Sequence, residues 1–196
     1  KMLDLKHADQ TTFHGYEKSE AESVVDSILV AGEVVPNAPE GTEAILILSE
    51  TPFYAESGGQ VGDTGIIKGD GFEFLVKDTK KQQDIFLHIG VVKSGEVKAA
   101  TKAVATIDNS RRELIKKNHS ATHIMHHALQ TLLGSHIEQK GSLVTDERLR
   151  FDFSHSKPVS FEELQNIERM VNEAIRANSP IDINEMPIDD AKAKGA

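Results

Sequence analysis

The chain has no cysteine, no tryptophan and only two tyrosines, and its 196 residues hold fewer basic than acidic side chains, 22 Lys and Arg against 31 Asp and Glu. Without cysteine there are no disulfides and no thiolate chemistry, and the commonest structural zinc ligand is missing, so any metal must rest on His, Asp or Glu. No run of about 18 apolar residues occurs, and the start, Lys1-Met2-Leu3-Asp4, lacks the basic-then-apolar pattern of a signal peptide. Together these make a cytoplasmic address without membrane association the default expectation. The formal charge of −9 argues against coating nucleic acid through bulk electrostatics, because phosphate binding draws on Lys and Arg releasing counterions. A local basic patch stays compatible with that charge, the best candidates being Arg111, Arg112, Lys116 and Lys117, with Lys140, Arg148 and Arg150 further on. What is present in quantity is apolar: 38% hydrophobic residues, enough for the core of one large domain or two small ones.

Residues 12–108 read as β structure. Short runs rich in Val, Ile and Phe, "ESVVDSILV", "EAILILSE", "TGIIKG", "FEFLVKD", "DIFLHIG" and "KAVATID", are closely spaced and separated by Gly, Pro, Asn and Asp. That spacing predicts a small closed or nearly closed barrel. At Asp108-Asn109-Ser110 the apolar period changes from about two to about 3.6, which marks an architectural boundary. The expected domains are therefore 1–108, a β-barrel carrying a glycine-rich loop, and 109–196, an α+β unit.

In the second unit, Ser110 and Glu113 form a capping-box pattern and Gly134 stands where helices commonly stop, which predicts a helix from Arg111 to Leu133. Its expected core stripe is Leu114, Ala121, Ile124, Met125, Ala128, Leu129 and Leu132. "GSLVTDERLRFDFSH" alternates around a turn at Thr145-Asp146-Glu147 and reads as a hairpin. A second helix opens at Ser160 with Glu163, carries Phe161, Leu164, Ile167, Met170, Val171 and Ile175, and stops at Asn178-Ser179-Pro180. A short strand, "IDINEM", follows, and "DDAKAKGA" begins a third helical pattern without finishing it. The fold class expected is α+β: a small N-terminal barrel, then two helices packed on one face of a mostly antiparallel sheet, truncated at the C-terminus.

Two stretches carry chemistry. "KKNHSATHIMHHALQ" holds four of the nine histidines. With Ala121 at the centre of the buried stripe, His119 and His123 point about 160° and 200° away from it, flanked by His126 and His127. A solvated polar face accounts for that pattern; so does a His-x-x-x-His pair converging on one zinc ion. The residues between the pair are Ser120, Ala121 and Thr122, so the glutamate of a HExxH protease is absent. Two imidazoles are half a tetrahedral site. "TPFYAESGGQVGDTG" reads either as a tight turn, with Gly58 and Gly59 at positive φ, or as a loop whose backbone approaches a phosphate or sugar closely, with Gln60 adding an amide. It lacks a P-loop lysine.

These stretches, in this order, resemble the editing region of bacterial alanyl-tRNA synthetases over nearly the whole chain. "TTFHGY" resembles the segment that opens the region, "TPFYAESGGQVGDTG" its glycine-rich loop and "NHSATHIMHHALQ" its first metal-ligand pair, while "GSHIEQKGSLV", "LRFDFSH" and "AKAKGA" complete the match. The resemblance implies that His119 and His123 are zinc ligands. It implies that Thr122, Gln139 and Ser142 shape the amino-acid pocket and carry catalysis, and that Gly58, Gly59 and Gln60 touch the acceptor end of tRNA(Ala). The reaction it implies is hydrolysis of Ser-tRNA(Ala) and Gly-tRNA(Ala), the second sieve needed because binding alone separates small amino acids only about 10–200-fold.

The resemblance also places a Cys-x-x-x-His pair beyond "AKAKGA", so the expectation is an incomplete zinc site and little or no deacylase activity in this stretch alone. ATP and Mg belong to the aminoacylation domain of the parent synthetase, whose remaining domains are the expected partners. Two alternatives stand beside this reading: a free-standing editing deacylase of the same chemistry, and a non-catalytic tRNA-binding module whose histidines are surface decoration.

Overall fold

Alternation of apolar and polar side chains sends one face of each strand into a common core, and the computed structural model shows that core closed by a barrel. It describes residues 5, 8–182, 184 and 186–193. The strands of the first half are β1 (Thr12–Phe13), β2 (Glu20–Val30), β3 (Glu33–Val35), β4 (Asn37–Pro39), β5 (Glu43–Leu48), β6 (Glu50–Thr51), β7 (Gly65–Gly69), β8 (Phe72–Gln82), β9 (Ile85–Lys98) and β10 (Lys102–Ile107). Antiparallel pairings run β10-β7-β8-β9-β5-β2, and β10 pairs again with β2, which closes a six-stranded barrel as the spacing of the runs predicts. β3 extends β2, and β4 pairs with β9. Val25, Leu46, Leu48, Phe53, Ile67, Phe74 and Val92 fill the interior. A smaller cluster of Leu29, Ile47, Ile85 and Leu87 is covered by Leu5 and Ala8.

The second half contains α1 (Asn109–Leu133), the antiparallel hairpin β11 (Gln139–Val144) and β12 (Leu149–Phe153), α2 (Phe161–Ala177) and α3 (Ile188–Ala193). Ala128, Leu129, Ile137 and Ile167, with Met125, Phe151, Phe153, Met170 and Val171 around them, form its core between the two helices and the hairpin. α2 has the expected capping box: Glu163 N donates to Ser160 Oγ and Ser160 N to the Glu163 carboxylate. Asn178 ends it in the left-handed conformation.

Four details differ from the sequence-based expectation. α1 is capped by the Asp108 carboxylate, which accepts from Arg111 N, and the Ser110 and Glu113 box does not form. An acidic side chain one residue outside the helix reaches the free N–H groups as well as a serine does. The buried face of α1 is rotated from the expected stripe: Ile115, Thr122, Ala128 and Leu129 are buried, while Leu114 is 47% and Leu132 41% exposed. On α2, Phe161, Leu164 and Ile175 are exposed. Finally, Ile181, Asp182, Asn184 and Met186 form no strand; 183 and 185, and the last three residues of "AKAKGA", lie outside the described residues. No helix among the described residues is long and apolar enough to cross a membrane.

Candidate functional site

The glycine loop, residues 52–64, leaves the barrel between β6 and β7 and returns against β8. Ser57 and Gln60 exchange backbone hydrogen bonds of 3.1 and 3.0 Å across Gly58 (φ 59°) and Gly59 (φ 83°), a two-residue turn with both φ positive, as in type I′, which glycine adopts without strain. Asp63 folds the loop back on itself, its carboxylate accepting from Tyr54 N at 2.7 Å and its own N–H reaching Tyr54 O at 2.9 Å. Gly62 is packed so closely that a Cβ there would lie 2.1 Å from Thr79 O.

This loop is the seam between the two halves. Val144 N donates to Gly59 O at 2.8 Å and Val61 N to Val144 O at 3.1 Å, so residues 59–61 add a short parallel strip to β11. A Cβ on Gly59 would meet Ser142 O at 2.7 Å. From the other side, Arg112 of α1 donates through Nε to both Asp63 oxygens, at 2.9 and 3.0 Å, through Nη2 to Asp63 and to Pro52 O, and through Nη1 to Gly15 O at 2.8 Å. Arg111 donates to Gly62 O at 2.9 Å and pairs with Asp146 in the hairpin turn at 3.2 Å. Asn118 donates to Thr145 O at 2.8 Å. Helix, loop and hairpin are thus fastened to one another by side chains.

At the centre of that junction, His119 Nδ1 lies 2.6 Å from Gln60 Oε1. The His123 ring, one turn on, is nearly parallel to that of His119, with 21° between planes and 5.1 Å between centroids. Burial first, then the charge of His123, holds His119 below the usual imidazole range, which favours the neutral ring that a metal ligand must be. Contrary to the solvated-face reading, His119 is half-buried and faces the loop, whereas His123 and His127 are exposed. His126 is partly buried, its ring 5.0 Å from Phe151 and its Nε2 buried without a hydrogen-bond partner among the described residues.

Thr122 is 5% exposed and its hydroxyl donates to Asn118 O at 2.8 Å. Gly58 is exposed with open space beside it, while Gln60 is buried. Thus Gly58, Gly59, Gln60, His119, His123 and Ser142 share one junction, while Thr122 is buried on the same helix as the two histidines and bonded within it. Gln139 stands apart from the junction: it opens β11 opposite Phe153 with an exposed side chain, and among the described residues it hydrogen-bonds none of the other candidates.

The expected basic patch is largely neutralised. Arg111 and Arg112 face the loop, and Lys116, Lys140 and Arg150 pair with Glu113, Glu138 and Asp152. The links of Asp63 to Arg112, of Arg112 to Gly15 and of Asn118 to Thr145 have no local signature, since they span 27 to 97 residues in sequence.

His119 and His123 fit half of a tetrahedral zinc set, and among the described residues no group of three or more His, Asp or Glu side chains converges. An open groove of about 650 Å³ runs along the barrel beside Glu20, Thr64, Lys68, Leu75 and Val104, and none of the candidate residues lines it.

The family model described as "tRNA synthetases class II (A)" matches residues 1–111. Proteins named alanine–tRNA ligase match nearly all of the chain: that of Pseudoalteromonas translucida is 53% identical over 192 residues, 98% of this chain and 22% of the relative. Those of Mesorhizobium japonicum and a Chelativorans species are each 49% identical over 187 residues, 95% of this chain and 21% of theirs. The chain spans about a fifth of the length of the curated relatives it matches.

Proposed function

The chain belongs to the class II (A) tRNA synthetases, and from that premise we propose that it is the editing region of an alanine–tRNA ligase, which hydrolyses Ser-tRNA(Ala) and Gly-tRNA(Ala). The observation that carries the reading is the 2.6 Å contact of Gln60 with His119, which brings the glycine loop and the histidine helix, 59 residues apart in sequence, into one junction. In this reading the chain has two units, the barrel of 1–108 and the α+β unit of 109–196, and the site lies on the seam between them.

The reaction breaks the ester between the amino acid and the terminal ribose and adds water across it. Zinc held by His119 and His123, with two further ligands from the parent enzyme, supplies a Lewis acid when bound. The residues of this chain do the selecting and the holding. Thr122 presents a hydroxyl whose proton is committed to Asn118 O, so it accepts a hydrogen bond from the serine side chain. Ser142, against Gly59, borders the same junction. Gln139 contributes from the far end of β11, where the bulge between Gln139 and Gly141 directs the strand. Gly58, open and exposed, lets the acceptor strand approach the backbone, while Gly59 and Gln60 hold the turn that presents it. ATP and Mg act elsewhere, in the ligation of alanine by the parent enzyme, and the soluble compartment in which translation occurs is where such an enzyme works.

The test is deacylation of Ser-tRNA(Ala) by the whole ligase, wild type and with His119→Ala and His123→Ala, alongside this chain alone. Loss of hydrolysis with tRNA affinity retained supports the reading, as does near-inactivity of the chain alone. Full hydrolysis by both variants would instead make the region a tRNA-binding module.

A further inference from the structure

We propose that Gln60 is a positioning residue for a metal ligand: its carboxamide oxygen holds His119 with the ring proton on Nδ1 and so leaves the Nε2 lone pair free for zinc. The inference rests on the reading of His119 and His123 as zinc ligands and assigns how this chain prepares one of them.

A carboxamide oxygen carries no proton, so the 2.6 Å contact between Gln60 Oε1 and His119 Nδ1 is a hydrogen bond only when Nδ1 donates. A neutral imidazole has a single ring proton, and with it on Nδ1 the other nitrogen is bare. The same contact fixes the ring's orientation, because a half-turn about χ2 would put a carbon where Nδ1 stands. Histidine ligands to metals generally donate their second ring nitrogen to such an oxygen, which sets tautomer and basicity together.

Gln60 is built to hold this position. It is 6% exposed. Its backbone is bonded on both sides to Ser57 across the glycine turn, and its neighbours Gly59 and Val61 are bonded to Val144. Three residues on, Asp63 is gripped by Arg112, which lies on the same helix as His119. Loop and helix are therefore registered at two points, and the glutamine side chain spans the gap between them.

The experiment uses the isotopically labelled chain without metal, at about pH 8, above the usual imidazole range, and reads the His119 tautomer from its ring nitrogen shifts. The wild type is expected to show a protonated Nδ1 and a bare Nε2. Gln60→Met removes the acceptor and is expected to move the proton toward Nε2; Gln60→Glu restores an acceptor oxygen and is expected to return it to Nδ1. In the whole ligase, which on this reading supplies the two further ligands, zinc(II) affinity is expected to be weakened roughly 10–100-fold in Gln60→Met and largely recovered in Gln60→Glu.

A wild-type ring protonated on Nε2 overturns the proposal even if the methionine variant fails to fold. So does a methionine variant that keeps both tautomer and zinc affinity. If His119→Ala and His123→Ala leave zinc binding intact while the tautomer follows Gln60, the ligand assignment has failed, and the proposal with it, through a different measurement.

Discussion

Arg112 and His119 lie two turns apart on one face of α1, about 20° from alignment, and a single loop of the barrel touches both, through Asp63 at one end and Gln60 at the other. The loop is thereby aligned along the helix instead of merely resting on it. The ion pair is deeply buried, the Arg112 side chain being 11% exposed and that of Asp63 2%. Burying charges in this way gives little net stability, but holds the loop in register with α1, beyond the point where Asp108 N bonds Thr64 O at the foot of both.

Removing one partner of that pair should therefore cost far more than removing both. Arg112→Met leaves the Asp63 carboxylate buried beside Tyr54 N alone and is expected to destabilise the chain by about 3–5 kcal/mol. Asp63→Asn combined with Arg112→Met leaves no buried charge and should recover a substantial part of that loss. Denaturant unfolding of the two single variants and the double variant measures it. A loss under about 1 kcal/mol for Arg112→Met would show that the clamp does not hold the loop.

The two turn glycines make a sharper comparison, because they share a positive φ and differ in surroundings. Gly58→Ala places its Cβ in open space, so only the left-handed backbone is penalised, about 1–2 kcal/mol. Gly59→Ala adds a methyl 2.7 Å from Ser142 O and 2.9 Å from Ser142 Cβ, and the loop must leave β11 to make room. The expected result is a modest shift of the unfolding midpoint for Gly58→Ala. For Gly59→Ala we expect a larger shift together with loss of amide protection at Val61 and Val144, whose N–H groups bond across that seam.

The barrel was legible because strand alternation is a local property: each apolar run named from the sequence became a strand of the closed sheet. Of the ends of α1 the C-terminal one was legible, at Gly134, whereas the start, which the sequence places at a Ser110 and Glu113 box, is capped instead by Asp108. The buried face of α1 was not legible. An apolar count favours Leu114 and Leu132, whereas the structure buries Thr122 and half-buries His119, because the hydroxyl is satisfied by Asn118 O and the imidazole by Gln60. Polar residues whose partners sit in another element look like surface residues in a one-dimensional pattern. Likewise Arg111 and Arg112 look like a basic patch until the loop that absorbs them is placed.

A pH prediction comes from His88, wholly buried in the barrel. Its Nδ1 donates to Leu46 O at 2.9 Å, so the neutral ring's Nε2 accepts from the Thr51 hydroxyl at 2.7 Å, and that hydroxyl in turn accepts from Phe53 N at 3.1 Å. Desolvation lowers its pKa from 6.5 to about 4, against a smaller opposing effect of the Leu46 carbonyl. The folded state thus resists a proton that the unfolded chain accepts. Its contribution is fully present above pH 6.5 and is lost progressively as pH falls from there to about 4. The full effect is of order 3 kcal/mol. His88→Gln should flatten the stability profile across that window, and an unchanged slope would contradict the assignment.

Under the proposed editing reading, Thr122 separates selectivity from stability. Its hydroxyl proton is committed to Asn118 O at 2.8 Å, which leaves only lone pairs, and in the proposed editing pocket those lone pairs would accept from the serine side-chain hydroxyl, a donor that the glycine and alanine side chains lack. Thr122→Val keeps the buried shape and removes the oxygen. The cost in stability should be no more than about 1.5 kcal/mol, because Asn118 O retains its role in the helix. In the whole ligase, hydrolysis of Ser-tRNA(Ala) should fall about tenfold, the value of one hydrogen bond, while hydrolysis of Gly-tRNA(Ala) stays within about twofold. Thr122→Ser keeps the oxygen and should retain the serine preference. Equal loss on both substrates would make Thr122 a packing residue, and the source of serine selectivity would then have to be sought at Ser142 or Gln139.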